Sequence, residues 1–240
     1  LGDVYKRQAV VLLGLFAARQ LKLEHPVLNV RPMASVRFWP ACLLVVVSMM
    51  TTFSMSVLLP LYFEGAYGMT ALIAGLLILP AIACNAVTSI VGGRVMDARG
   101  AWPLLPVGFA LIAVGQTAIS MTAASMNIGV VVALTVVVYA GVGLVLSPSQ
   151  TAGLETLPAA EHPHGTALLN TWNMIAASFG PSLFIGLLSS SAAAASVAGA
   201  AIDVAQAIGF AAAVRVAAVI AVVGFVASLV YAHRESHMSH

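Results

Sequence analysis

Charge is scarce in this sequence: 8% of its 240 residues are Asp, Glu, Lys or Arg, against 61% hydrophobic residues, and mean hydropathy is +1.03. Soluble domains carry about a quarter of their residues as charged groups. Water is therefore not the main solvent of this chain. The net charge is only +2, with no basic run and no basic–aromatic interleaving, which removes nucleic acid as a partner. Cysteine is nearly missing too. Cys42 and Cys84 both lie in apolar runs and read as small buried hydrophobes, neither a disulfide nor a metal pair. A Ser/His or paired-Asp constellation within the apolar runs and an H-E-x-x-H motif are also lacking, so no membrane enzyme is expected: no catalytic residue, metal ligand or cofactor is assigned. His162 and His164 flank Pro163 and suit a turn entering a helix, while His233, His237 and His240 read as solvated tail residues.

What the sequence does hold is long apolar runs. Full-length candidates cover residues 38–63, 70–95, 104–124, 128–147, 165–188 and 210–232. A bilayer core about 30 Å thick takes about 20 apolar residues per helix. The runs match that length and lack the alternation of barrel strands. Residues 9–18 make only half a span, the end of a preceding helix. The expected fold is an all-α membrane protein, a six-transmembrane-helix bundle plus a partial preceding helix. Residues 1–8 are expected to be a non-native or truncated leader, 9–37 a helix end and cytoplasmic linker, 38–233 the bundle, and 234–240 a cytoplasmic tail. The chain as a whole is expected to be a fragment. Residues 189–201 (SSSAAAASVAGAA) read as an external loop, and 148–164 as an internal one.

Basic residues orient the bundle. Arg19, Lys22, Arg31 and Arg37 precede the first full span, Arg94 and Arg99 lie between the second and third, and Arg234 follows the last. The alternate loops, 65–69, 125–127 and 189–209, contain no Lys or Arg. The positive-inside rule then places the C-terminus in the cytoplasm. Lys6 and Arg7 break the pattern, in keeping with a foreign leader.

Polar side chains inside lipid are costly and so mark candidate sites. Glu64 sits at the external end of the first full span and reads as a solvated helix-end charge; Arg215, a turn inside the last, reads as a side chain snorkelling to the headgroups. Asn170 and Asn173 must face the bundle or a cavity, because an unpaired amide in lipid is unfavourable. With Gln116 and Tyr139 they form the candidate polar lining of a substrate cavity, and Met49 and Phe53 supply a soft apolar surface. Ordinary packing is the competing reading for each. Gly180 and Pro181 predict a kink in the fifth span, whereas Gly141 and Gly143 predict close packing in the fourth. The second span ends in Gly93-Arg94-Val-Met-Asp97-Ala-Arg99-Gly100. Asp97 there is placed to cap the next helix or to pair with Arg94 or Arg99, a latch that one conformation closes and another opens. A generic positive loop is the alternative.

The Gly93, Asp97 and Gly100 spacing resembles the cytoplasmic loop motif G-x-x-x-D-[RK]-x-G of the major facilitator superfamily, with Ala98 standing at the basic position. Upstream, Glu24-His-Pro-Val-Leu-Asn-Val-Arg31 is similar to the link before the ninth helix of fourteen-helix drug:proton antiporters of the EmrB/QacA type. Leu59-Pro-Leu-Tyr-Phe63 and Ala74-Gly-Leu-Leu-Ile-Leu-Pro80 resemble that family's ninth and tenth helices; Gly165-Thr-Ala, Asn170 and Gly180 resemble its thirteenth, where Asn173 replaces the Arg of several relatives. The resemblance implies the C-terminal six-helix bundle of a multi-pass exporter in the inner (plasma) membrane. Such an exporter moves small amphipathic compounds by alternating access, with the proton gradient as energy source and no cofactor. Its partners would be membrane lipid and the N-terminal bundle, which holds the proton-carrying acids, so the fragment alone is expected to be inactive. A sugar or metabolite porter of the same superfamily, or a membrane assembly subunit, is the alternative.

Overall fold

The computed structural model describes residues 31–35, 38–101 and 103–236, plus isolated positions 8, 11, 12, 14, 15 and 19. Apart from those positions, the leader, the half-span over 9–18 and the linker before Arg31 lie outside the described residues, as do Arg37, His237 and His240. Six long helices follow: α1 (Phe38–Tyr67), α2 (Ala71–Arg99), α3 (Leu104–Thr122), α4 (Ile128–Glu155), α5 (His162–Val197) and α6 (Ile202–Ser236). All six are long and apolar enough to cross a membrane. A helix that is apolar on every face belongs in lipid or in a large core. This is a six-helix membrane bundle.

The helices overrun several expected boundaries. The stretch over 189–201 is not a loop: α5 continues through it to Val197, because a run of alanines is the best helix former available. The chain turns at Gly199, whose φ of 91° suits glycine, and α6 starts at Ile202, eight residues before the expected 210. Likewise α4 runs past residue 147 and through Pro148 to Glu155, which shortens the internal connection to a 3₁₀ turn, Ala159–Glu161. Proline forfeits one helical hydrogen bond, and Pro148 nevertheless lies buried inside the continuous helix. Helix α6 continues to Ser236, so residues 234–236 at the start of the expected tail are helical.

The turns alternate between two ends. At one, Gly65 meets Gln206, and the Tyr62 hydroxyl donates to the Ala123 carbonyl at 2.8 Å. Tyr62 also stacks on Phe210 at 4.2 Å between ring centroids, tying α1, α3 and α6 together. At the other end, which carries Arg31, Arg94 and Arg99, the Tyr231 hydroxyl donates to the Ala152 carbonyl at 3.2 Å.

Helix α1 packs on α4, α5 and α6; α4 packs on α1, α2 and α3; and α3 packs on α6. Exchanging the first three helices for the last three maps these contacts onto one another. The exception is α5–α6, which pack closely while α2 and α3 barely touch. The bundle is thus two similarly connected three-helix units. Small residues set the crossings, since lipid offers helices no hydrophobic reason to associate. A Cβ on Gly141 would come within 2.6 Å of the Gly108 carbonyl oxygen, so α3 and α4 touch through their backbones. Gly143 packs as closely on α2 at Asn85 and Thr88.

Candidate functional site

Helices α1 and α5 meet along a seam. Their backbones approach at Gly180, where an added Cβ would lie 3.8 Å from the Phe53 Cβ and 3.9 Å from the Met50 Cα. Pro181 follows inside the continuous helix, so the Ala177 carbonyl lacks its helical donor. Two turns before Gly180, on the same face, Asn173 is 8% exposed and its Oδ1 has no hydrogen-bond partner. Met49 and Phe53 are half-buried on α1.

The opposite face of α5 is open. Thr171, Met174, Ile175, Ser178, Phe179 and Ser182 line a shallow groove of about 450 Å³. Asn170 stands exposed beside it, one turn before Met174. The groove is less polar than its three hydroxyls suggest, because each is engaged on its own helix. Thr171 donates to the Ala167 carbonyl at 2.8 Å, Ser178 to Met174 at 2.9 Å and Ser182 to Ser178 at 3.3 Å. What remains is aliphatic, thioether and aromatic surface with one free amide at its rim. Such a surface holds an apolar body loosely and offers no fixed charge.

Two other candidates sit elsewhere. Gln116 on α3 is fully buried, and neither its Oε1 nor its Nε2 has a partner. In this conformation it is enclosed rather than lining an open surface. Tyr139 on α4 is also buried, and its backbone carbonyl accepts a 3.0 Å bond from the Asn85 side-chain amide. The cavity candidates therefore divide, with Asn170, Asn173, Met49 and Phe53 on α1 and α5 and the other two in the α3–α4 half. Asn85 was missed from sequence although it carries the same signal as Asn170, an amide in an apolar run. Trp172 was also passed over, and its indole N–H points to the Met33 sulfur at 3.3 Å.

At the basic end, Gly93 is half-buried, Arg94, Asp97 and Arg99 are exposed, and Gly100 ends α2 with φ 74°. Asp97 does not cap α3, whose N-cap is Pro103 without a side-chain bond. Among the described residues, no ion pair joins Asp97 to Arg94 or Arg99 in this conformation. The closely packed glycine of this segment is Gly92, whose added Cβ would meet the Gly143 carbonyl oxygen at 3.3 Å. The described His, Cys, Asp and Glu side chains form no group that could hold a metal.

Residues 7–181 match the sequence profile of the Major Facilitator Superfamily. The chain is similar to the lincomycin resistance protein LmrB of Listeria monocytogenes, 32% identical over 179 residues, which is 75% of this chain and 38% of that protein. It is also 32% identical over 181 residues to LmrB of Bacillus subtilis, again 75% of this chain and 38% of the relative. The MFS-type transporter YcnB of Bacillus subtilis is 32% identical over 184 residues, 77% of this chain and 39% of the relative. The chain thus spans about two fifths of the length of these relatives.

Proposed function

Because this chain belongs to the Major Facilitator Superfamily, we propose that its six spans work as the C-terminal bundle of a fourteen-helix drug:proton antiporter of the EmrB/QacA type. In this reading it lies in the plasma membrane with its C-terminus in the cytoplasm, and it exports amphipathic compounds by alternating access. The proton gradient supplies the energy and no cofactor is involved. The observation that carries the reading is the α5 groove, which is apolar, uncharged and edged by one free amide at Asn170. It suits a compound with a greasy body and few fixed polar demands, whereas a sugar porter needs several convergent polar anchors. The likeness to lincomycin resistance proteins agrees with it.

Alternating access supplies a role for the seam. Substrate would lie between two bundles, and rocking of one against the other would expose α5 to each side in turn. The Gly180–Pro181 step gives α5 a place to bend, and Gly93, Arg94, Asp97, Arg99 and Gly100 form the loop that would latch one state. Proton-carrying carboxylates are proposed to lie in the N-terminal bundle, because among the described residues the span interiors here hold none. By the same reasoning the six-helix bundle alone does not transport.

The test is drug accumulation in a host stripped of its own pumps. The full-length protein should lower accumulation of lincomycin and amphipathic cations until an uncoupler collapses the proton gradient, and the 240-residue chain should not. Efflux that survives the uncoupler removes the proton coupling, and efflux by the chain alone removes the two-bundle requirement.

A further inference from the structure

Arg215 is the one charged side chain deep inside a described span, and it faces outward from the bundle. Its depth follows from three contacts of α6. Gln206 lies beside Gly65, Phe210 stacks on Tyr62, and Tyr231 bonds to Ala152 at the far end. Arg215 therefore sits nine residues, about 14 Å, below the Gln206 level, and sixteen residues, about 24 Å, above Tyr231. In a hydrocarbon core about 30 Å thick, that is the half nearer the Gln206 end.

A guanidinium inside a bilayer needs hydrogen-bonding partners for its N–H groups. Among the described residues it has none. Glu64 is level with position 207 by the Gly65–Gln206 contact, and Asp203 is twelve residues away on another face of α6. The exposed neighbours of Arg215 along α6 are Val204, Ile208, Val219, Val222 and Val226, with buried Ala211 and Ala218 at the edge of that stripe. Opposite Arg215, the small residues Ala213, Ala217, Ala221 and Gly224 are buried toward the bundle. Membrane helices pack on one another through small residues, so a β-branched aliphatic face is a lipid face. Side chains on a helix also lean toward its N-terminus. For α6 that is the Gln206 end, so the helix geometry directs the Arg215 stem past Ile208 and Val204 toward the nearer headgroups.

We propose that Arg215 is a lipid site, holding the phosphodiester of a phospholipid in the leaflet at the Gln206 end and fixing the depth of α6. The planar guanidinium donates two parallel N–H bonds to phosphate oxygens, a geometry that lysine does not reproduce. The ligand class is the phosphodiester itself, so phosphatidylglycerol and phosphatidylethanolamine both qualify, whereas diacylglycerol does not.

The chain is purified with bilayer lipid and its bound lipids are counted by native mass spectrometry, titrating phosphatidylglycerol or diacylglycerol. The wild type is expected to keep one more phospholipid than R215Q, with about a tenfold difference in the exchange constant. R215K should fall between them, and diacylglycerol should bind all three alike. Should R215Q fail to fold, R215K against wild type gives the same reading. Carbon–phosphorus dipolar recoupling of labelled arginine in bilayers adds an independent measure, in which R215K should lose one close guanidinium–phosphorus pair. Equal phospholipid retention by wild type and both variants overturns the proposal. So does an Arg215 crosslink to a carboxylate of another helix, which would make this face a protein interface.

Discussion

Replacing Gly141 by alanine adds one methyl group where two membrane helices touch through their backbones. The new Cβ would sit 2.6 Å from the Gly108 carbonyl oxygen and 3.1 Å from the Ile112 nitrogen. Neither atom is the end of a side chain that could swing away. Helix α4 is pinned on its other sides as well, by Gly143 against α2 and by Gly153 against Ala41 of α1. Relief on the α3 side would therefore disturb at least two further crossings. Overpacking of this kind costs about 1–3 kcal/mol, and alanine regains roughly 0.5–1 kcal/mol over glycine in a helix interior. Gly75, in α2 with no atom within 4 Å of an added Cβ, provides the control, because Gly75→Ala gains the same helix propensity without the clash. The propensity term cancels between the two variants, so Gly141→Ala should be less stable than Gly75→Ala by about 1–3 kcal/mol. Unfolding in mixed micelles with rising sodium dodecyl sulfate, followed by tryptophan fluorescence, measures the difference. Equal midpoints would refute both the backbone contact and the claim that it holds α3 to α4.

Three further outcomes are expected. Gln116→Leu removes two buried polar atoms that have no partner, so the same unfolding assay should show unchanged stability or a gain of about 1–3 kcal/mol; a clear loss would mean the amide is bonded. Under the proposed exporter reading, Asp97→Asn should reduce drug efflux at unchanged membrane level, and unaltered efflux removes the proposed latch. With Cys42 and Cys84 replaced by alanine, a cysteine at Ser190 should react with an impermeant maleimide added outside cells, while one at Ala98 stays silent. The reverse pattern inverts the topology.

The number and starts of most helices were legible because lipid imposes one rule on the backbone, that every polar group be satisfied within the segment. Phe38, Leu104 and Ile128 begin α1, α3 and α4 where the apolar runs begin. The ends were less legible. Hydrophobicity reports where a chain is greasy, and a helix stops only where its hydrogen bonding does. The alanines before Val197 are neither greasy enough to count as a span nor able to break a helix, so the expected α5 end falls about two and a half turns short. Pro148 misled in the opposite sense, since a proline looks like an end from sequence and here sits buried inside α4.

The candidate site divides along a different line, the type of polar group. Most serine and threonine hydroxyls in these spans bond back to the carbonyl three or four residues earlier, as Ser48 does to Leu44 and Thr135 to Val131, with buried Thr51 and Ser149 as exceptions. They need no partner from another helix and so reveal little about what faces what. An amide fits that local bond poorly. Asn85 therefore reaches across to Tyr139 on α4, Asn170 turns to the open face, and Asn173 and Gln116 stay buried with atoms unpaired. Side-chain amides consequently carried the usable signal, and it was a signal of need without direction. Their sequence positions showed that each had to find a partner or a cavity. Only the packing of α1 on α5 and of α3 on α4 separates the two asparagines of the seam from the glutamine enclosed within the bundle.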